Sequence, residues 1–389
     1  MKKVLALGMV AAALAMVGVG AAPGTNPNTL TLAVFGDSPY LDKAFPALPH
    51  AEFNATPAFI GTINADPSVQ EVVQVGDIHS GSEPCTAAYD HSIYNFWTAF
   101  DKPLIYTPGD NEWSDCTKAK EEPGSDNDNV ATHPDLPLEN LALIRQIFFA
   151  YPGWTLGLHP IQVISQANAY DHAFPADAQF VENVMWEQSK TVFVTINVPG
   201  GSNNDIDPWY AKTHTSPWNP NQQIEMDQRT GADVRWLNAA FALAESGNAH
   251  SVVIVGQSDM WDTGDALGPA HQTNYEPIIA AMASNAVKYK KPVLYLNGDS
   301  HVYRSDNPLQ QGSTCYTETD PCTGDGWLQH PYYDVPNFHR IVVHGSTFPM
   351  EWMKLSIDPR AAWENASTPT SWGPFSWQRK TQAQLTPTP

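Results

Sequence analysis

Four apolar segments of this sequence end in the dipeptide Gly-Asp, which is the pattern of a β-strand that stops at a polar turn. The four aspartates are Asp37, Asp77, Asp110 and Asp299. A glycine at the end of a strand permits a sharp turn, so each aspartate should reach the carboxyl edge of a sheet. His301 follows two residues after the last of them. Four carboxylates and an imidazole at one edge are typical of a metal centre.

The N-terminus has the pattern of an export signal. Two lysines precede an apolar run from Val4 to about Val19, and small residues follow it. The alternative is an N-terminal membrane anchor, for which the run is short. We therefore expect residues 1–22 to be a signal peptide, the protein to be secreted or periplasmic, and no stable membrane insertion after cleavage.

Strands and helices alternate along the remaining chain of about 365 residues, which suffices for one large α/β domain or two ordinary ones. Apolar patterns predict strands at 30–35, 71–75, 103–107, 191–197, 251–255, 292–297 and 339–345. Helices are predicted at 86–100, 137–149, 228–246 and 274–289, and long loops at 110–136, 157–185 and 200–227. We expect one domain over residues 30–380 and a disordered tail at 381–389, which is rich in Gln, Thr and Pro.

The charge of the chain restricts its partners. The formal net charge is -21, and loss of Lys2 and Lys3 with the signal peptide would make it -23 (-21 minus 2). No cluster of Lys and Arg is visible, which argues against duplex nucleic acid as a partner, because phosphate neutralisation needs clustered cations. A small phosphorylated substrate is compatible with this charge, since a bound metal would supply positive charge.

The chain has four cysteines, an even count that in an exported protein suggests two disulfides. Three connectivities are possible. We favour Cys85–Cys116, which would join the loops after the second and third Gly-Asp motifs, and Cys315–Cys322, which would close a short local loop. A zinc site is the alternative, but the cysteines lack CxxC spacing.

The order of these motifs resembles that of the calcineurin-like metallophosphoesterases, including purple acid phosphatases, over roughly residues 30–305. That family has an aspartate motif, then Gly-Asp, Gly-Asn-His-Asp/Glu, a lone His after a strand, and Gly-His-x-His. The resemblance implies an α/β fold of two mixed β-sheets packed as a sandwich and flanked by helices. It also implies a metallophosphoesterase that hydrolyses a phosphate ester by a metal-bound hydroxide, without a covalent intermediate.

The resemblance assigns the first metal position to Asp37 and His301. Asp37, in Gly-Asp-Ser-Pro-Tyr, takes the place of the first-metal aspartate of the family. Asp77, in Val-Gly-Asp-Ile-His, takes the place of the aspartate that bridges two metals. His301 takes the place of the second histidine of Gly-His-x-His.

The second metal position departs from the family pattern. Asp110 falls where the family has a metal-binding Asn, Gln257 where it has the lone His, and Asp299 where it has the first His of Gly-His-x-His. A third imidazole position is Pro39 in this chain. Because oxygen ligands replace imidazoles, the resemblance implies two divalent or trivalent ions drawn from Mn, Fe, Mg and Ca rather than Zn.

Three further residues are candidates for a catalytic role, and a fourth, Tyr40, is a candidate metal ligand. Asn111 falls where the family has the histidine that contacts phosphate, and it would orient the phosphoryl oxygens. His79 could supply the missing imidazole, or it could be a solvent-facing loop residue. Arg304 could hold a phosphate, or it could form a structural ion pair. Tyr40 could be a phenolate ligand or a packed residue at the end of a strand.

Other readings of the motifs stay open at the level of sequence. The Gly-Asp pairs could be ordinary turns at strand ends. The chain could be a catalytically degenerate protein of the same fold that binds a ligand or a metal, which the lost imidazoles would favour. A secreted hydrolase of another type is disfavoured by the lack of a Gly-x-Ser-x-Gly motif.

Overall fold

The computed structural model describes residues 29–41, 48, 50–117, 136–204, 220–262, 272–318, 328–361, 363 and 367–381. The predicted signal peptide therefore lies outside the described residues. Of the predicted tail 381–389, Thr381 is the last residue of a strand, and the other residues lie outside the described part.

The described residues form fifteen strands, seven α-helical segments and two short 3-10 helices, Ser114–Thr117 and Pro175–Gln179. The strands are β1 (Leu30–Phe35), β2 (Glu71–Gln74), β3 (Leu104–Tyr106), β4 (Ile164–Ser165), β5 (Val184–Gln188), β6 (Thr191–Thr195), β7 (Ser251–Val255), β8 (Val293–Asn297), β9 (Arg304–Asp306), β10 (Tyr316–Thr317), β11 (Phe338–Val342), β12 (Glu351–Ile357), β13 (Ser367–Thr368), β14 (Ser371–Trp372) and β15 (Phe375–Thr381). The helical segments are α1 (Ala51–Asn64), α2 (Ala87–Trp97), α3 (Leu136–Phe148), α4 (Gln166–Ala169), α5 (Gly200–Asn204), α6 (Pro220–Ser246) and α7 (Glu276–Tyr289).

These strands form two mixed sheets. The first has the order β13-β14-β15-β12-β1-β2-β3, and the second has the order β10-β9-β11-β8-β7-β6-β5-β4. β1, β2 and β3 are parallel neighbours in the first sheet. β6, β7, β8 and β11 are parallel neighbours in the second. The carboxyl ends of parallel neighbours meet at one edge of a sheet, where open α/β sheets commonly bind ligands.

The two sheets pack face to face, and helices cover their outer faces. Val34 and Val73 of the first sheet share a buried cluster with Val253 and Leu294 of the second. A second cluster joins α6 and α7 to the second sheet, and a third joins α1, α2 and α3 to the first. The described residues therefore have the predicted fold class, two mixed sheets packed as a sandwich and flanked by helices.

The seven predicted strands are confirmed with small changes at their ends, but the predicted loops are partly wrong. Residues 157–185 include β4 and α4, and residues 220–227 belong to α6 rather than to a loop. The first half of α6 buries polar side chains at helical spacing, Gln222, Glu225 and Arg229. Since those residues carry no apolar signal, the periodicity predicted a start at 228. Residues 118–135 and 205–219 of the predicted loops lie outside the described part.

None of the helices of the described part combines the length and the apolar character that crossing a bilayer requires.

A buried glutamate at the start of β2 gives a testable pH effect. Glu71 Oε2 accepts a hydrogen bond from Trp186 Nε1 at 3.2 Å, while Oε1 accepts none. Burial raises the pKa of Glu71 from 4.5 to about 7. Between these values the unfolded chain releases its proton and the folded chain keeps it, so stability falls as pH rises through this window.

We expect Glu71→Gln to remove the loss of stability that Glu71 causes as pH rises, because the amide is neutral at every pH. The free energy of unfolding should rise by about 1–3 kcal/mol at pH 8 and change little near pH 4. Urea denaturation at both pH values measures this. The same change at both pH values, or destabilisation at pH 8, would contradict the expectation.

Candidate metal centre

The four Gly-Asp aspartates converge at the carboxyl edge shared by the two sheets. Asp37 follows β1, Asp77 follows β2, Asp110 follows β3 and Asp299 follows β8. Asp37 donates its backbone N–H to Gly76 O at 3.0 Å, and its Oδ1 accepts the backbone N–H of Asp299 at 2.8 Å. The loops after β1 and β8 are thereby tied together across the two sheets.

The side chains form two groups that could each hold a metal ion. Asp37, Asp77 and His301 make the first group, and Asp77, Asp110 and Asp299 make the second. Within each group, one ligand-type atom of every residue lies within 4.8 Å of the others. Asp77 is common to both groups, so a single carboxylate faces two adjacent positions.

The backbone at these residues is unusual. Asp37, Asp77, Asp299 and His301 have φ angles of 47°, 58°, 76° and 61°. A left-handed conformation is rare for residues other than glycine, and each instance costs roughly 1–2 kcal/mol. Strained backbone of this kind concentrates at functional sites. The repetition of this strain at residues of the two groups supports a function for them.

The glycines before the aspartates have a different role from the one predicted. Gly36, Gly109 and Gly298 have no positive φ, and at the first and fourth motifs it is the aspartate that has one. Gly109 is required instead by close approach, since a Cβ atom there would lie 2.6 Å from the backbone nitrogen of Asp77. Of the four glycines, only Gly76, with φ 97°, has the left-handed backbone that glycine readily adopts.

The cluster is rich in buried carboxyl groups. Burial raises the pKa of Asp37, Asp77 and Asp299, and the negative charge of Asp110 raises each of them further. Burial also lowers the pKa of His301, which favours the neutral imidazole that binds metals. Asp37 Oδ2 is buried and accepts no hydrogen bond.

These features fit a bound cation. A carboxylate oxygen without a donor is unfavourable in a buried site, and a divalent ion would satisfy it. Four carboxylates and one neutral imidazole form a mostly oxygen donor set, which suits hard cations. The two groups are therefore consistent with sites for hard metal ions.

The predicted ligand Gln257 is present at the cluster, but it presents its nitrogen. Gln257 Nε2 donates to Asp77 Oδ2 at 3.0 Å and to Asp110 Oδ1 at 2.9 Å. Its oxygen accepts the backbone N–H of Gly200 at 2.7 Å. In this arrangement Gln257 links two carboxylates instead of offering a ligand oxygen, and its predicted role as a ligand has no support from this geometry.

Asn111 and Tyr40 border the first group. The backbone N–H of Asn111 donates to Asp77 Oδ1 at 3.3 Å, and its Nδ2 donates to Tyr40 Oη at 3.4 Å. Tyr40 Oη also lies 3.1 Å from His301 Nε2. The backbone of Asn111 therefore contacts the predicted bridging carboxylate, and its side-chain amide contacts Tyr40, which lies beside His301.

The other two predicted catalytic residues are His79 and Arg304. His79 is fully buried, its ring lies edge-on to Tyr89, and its Nδ1 is 3.0 Å from Ser80 O, so the solvent-facing alternative is wrong. Arg304 begins β9, where it pairs with Val342 and Thr317. Catalytic roles for Asn111, His79 and Arg304 stay predictions.

Two residues that support the cluster were missed at the level of sequence. The backbone N–H of Asp259 donates to Asp299 Oδ2 at 2.9 Å, and Asp259 is itself paired with the buried Arg340. Arg340 also forms two hydrogen bonds of 2.8 Å with Asp306. The available signal was an arginine inside the apolar strand predicted at 339–345, since a charge there requires a buried partner.

The predicted Cys85–Cys116 disulfide is confirmed, with Cα atoms 5.7 Å apart. Cys85 Sγ lies 3.5 Å from Asn111 O, so the bridge joins the loops that follow β2 and β3 beside the cluster. Cys315 is also disulfide-bonded. Its predicted partner Cys322 lies outside the described residues, so that pairing stays a prediction.

We expect loss of this bridge to affect both stability and the cluster. Replacing Cys85 and Cys116 by serine should lower the free energy of unfolding by about 2–5 kcal/mol, and it should weaken metal binding because it frees two loops that carry the carboxylates. Thermal unfolding and metal titration of the double variant measure the two effects. Unchanged stability together with unchanged metal affinity would contradict this expectation.

No family model and no curated protein matches this sequence. Among solved structures, it is similar to a purple acid phosphatase, PPD1, from seeds of yellow lupin (Lupinus luteus), with a TM-score of 0.42 and 10% identity over 91% of this chain and 52% of that one. It is also similar to the sulfate thiohydrolase SoxB of Thermus thermophilus in complex with glycerol, with a TM-score of 0.37 and 10% identity over 85% of this chain and 54% of that one.

This chain thus spans about half the length of each of these two proteins. Both similarities are to proteins of the calcineurin-like metallophosphoesterase fold, at low sequence identity. The candidate metal centre stands on its own geometry.

Proposed function

We propose that this chain is an exported, metal-dependent phosphoesterase that hydrolyses a small phosphorylated substrate. The observation that carries the proposal is the placement of Asp77 in two adjacent groups of potential ligands. When bound, a pair of cations held in this way polarises a phosphoryl oxygen and activates water for attack on phosphorus.

The residues of this chain have separate tasks in the proposal. Asp77 would hold both cations, with Asp37 and His301 completing one position and Asp110 and Asp299 the other. The proposed ions are Mn, Fe, Mg or Ca rather than Zn, because carboxylate oxygens dominate the donor set.

Asn111 is proposed to orient the substrate. Its Nδ2 is a neutral donor directed to Tyr40 Oη at 3.4 Å, and it would donate to a phosphoryl oxygen held over Asp77. An amide cannot transfer a proton near neutral pH. Leaving groups of low basicity, which need little protonation, should therefore be the better substrates.

A secreted or periplasmic location belongs to the same proposal. The Cys85–Cys116 disulfide supports it, because such bonds persist in oxidising compartments. The net charge of -21 also supports a small substrate rather than duplex nucleic acid.

A second candidate function is a metal- or ligand-binding protein of the same fold without catalysis. The orientation of Gln257 favours it, since the amide donates to two carboxylates that a catalytic metal pair would use.

Turnover of aryl phosphates distinguishes these candidates. The purified protein should hydrolyse p-nitrophenyl phosphate or its bis-ester with Mn²⁺ or Mg²⁺ present, lose activity with a chelator and regain it when the metal is restored. Metal binding without turnover of either ester would favour the second candidate.

A further inference from the structure

The amide of Gln257 is held at both ends inside the candidate metal centre. Its Nε2 donates to Asp77 Oδ2 and Asp110 Oδ1, at 3.0 and 2.9 Å. Its Oε1 accepts the backbone N–H of Gly200 at 2.7 Å, and the whole side chain is buried. Both ends of the amide are therefore used within the protein.

This orientation is fixed by chemistry. A backbone N–H can only donate, and a side-chain amide nitrogen can only donate as well. If the amide were rotated by 180°, Gln257 Nε2 would face the backbone N–H of Gly200, and two donors would lie against each other. Gln257 can offer its oxygen to a cation only if Gly200 moves.

Gly200 is held by an unusual segment. The following residues, Gly201, Ser202, Asn203 and Asn204, all have φ between 55° and 69°, a left-handed run in which each non-glycine residue is strained. A Cβ atom on Gly200 would lie 2.8 Å from Asp299 Oδ1 and 2.9 Å from Asp110 Oδ1, so the segment lies directly against the second group.

A buried arginine fixes this segment from the other side. Arg229 donates to Asn203 O at 3.1 Å and to Asn197 O at 3.2 Å. It pairs with Glu225 at 2.7 Å, and its guanidinium lies 5.5 Å from the ring centre of Trp113. The left-handed run is thus anchored to α6, which keeps Gly200 in place.

The second group therefore differs from the first. In the second, Asp110, which belongs to this group alone, accepts a hydrogen bond from Gln257, as does the shared Asp77, and a cation would compete with this donor. In the first, Asp37 Oδ2 is buried without a donor, and His301 supplies a nitrogen.

We propose that the two metal positions are unequal, and that Gln257, locked by the backbone N–H of Gly200, makes the second position weak and exchangeable. The first group retains its ion, while the second binds an ion through carboxylates alone. Gln257 is on this view a specificity-determining residue for metal occupancy. The inference rests on the proposed function in one respect, that both groups bind cations.

Calorimetric titration of the metal-free full chain with Mn²⁺ tests this directly. The wild type should show two unequal classes of sites, or one strong site with the second too weak to measure. Gln257→Glu keeps the shape and the acceptor for Gly200, and it replaces the donor by a carboxylate oxygen. It should strengthen or reveal the weak class by about 10–100-fold, the range typical of groups that hydrogen-bond metal ligands.

A control separates this effect from added charge. Gln228→Glu adds the same charge at an exposed position of α6 and should leave both classes unchanged. Equal effects of the two variants would overturn the proposal, and so would two equal sites in the wild type. If Gln257→Glu fails to fold, the wild-type titration alone decides between unequal and equal sites.

The result is independent of the catalytic test. Unequal sites without hydrolysis of either aryl phosphate would support this inference and refute the proposed function. Hydrolysis with two equal sites would support the proposed function and refute this inference. A chain that binds no Mn²⁺ would overturn both.

Discussion

Asp77→Asn is expected to lose most bound metal and nearly all phosphoesterase activity. Asp77 belongs to both groups of potential ligands, so its removal takes a negative charge from two adjacent positions at once. The neutral amide retains the size of the side chain but not its charge. We expect activity to fall by more than about 100-fold. This exceeds the effect of removing one group that only hydrogen-bonds to a metal ligand, which typically costs about 10–100-fold. Elemental analysis of the purified variant and turnover of an aryl phosphate measure the two losses.

Asp90→Asn is the matched control for this prediction. Asp90 is buried in α2, and burial raises the pKa of its carboxyl to about 8. The carboxyl is therefore mostly uncharged at pH 7, and its replacement by a neutral amide hardly changes the charge of the protein. Metal content and turnover should stay near the wild-type values. Full metal occupancy with normal turnover in Asp77→Asn would refute the shared-carboxylate model.

Arg340→Leu should produce the largest loss of stability. The guanidinium is fully buried, it makes two hydrogen bonds of 2.8 Å with Asp306, and it pairs with Asp259. Leucine would leave two buried carboxylates without a cation, a change that typically costs about 3–5 kcal/mol. Urea denaturation at neutral pH measures the free energy of unfolding.

The same variant should also weaken metal binding, because Asp259 donates its backbone N–H to Asp299 Oδ2. Arg360→Leu, which removes an exposed pair with Asp358, serves as the control and should leave both properties unchanged. If Arg340→Leu were as stable as Arg360→Leu, the buried network would not contribute to the fold as we describe.

The central strands were predictable because their signal is local. Continuous apolar runs such as 251–255 mark strands that are buried on both faces, and the structure contains them. The strands β12 and β15, which lie inside the first sheet, were missed. In β15, Phe375 and Trp377 alternate with polar residues in the pattern of a half-buried strand. The helix α1 was missed because Pro57 lies inside it, and a proline inside an apolar segment normally indicates a break.

The aspartates of the candidate centre were predictable for a related reason. Each follows its own strand, and the parallel pairing of β1, β2 and β3 brings Asp37, Asp77 and Asp110 to one edge. Asp299 follows β8 of the second sheet, so its approach depends on the packing of the two sheets. The orientation of Gln257 was not predictable, since it depends on the backbone N–H of Gly200, which is 57 residues away in the chain. Arg340 and Asp259 are likewise paired across 81 residues, and no local pattern specifies such a contact.

Anomalous diffraction from a crystal of the full chain grown with Mn²⁺ tests the central claim most directly. We predict an anomalous peak for a manganese ion in the first group, coordinated by Asp77, Asp37 and His301. In the second group we predict a weaker peak or none. A crystal saturated with Mn²⁺ that shows no anomalous peak at Asp77, or shows its peaks only at surface carboxylates, would contradict a metal centre at this site.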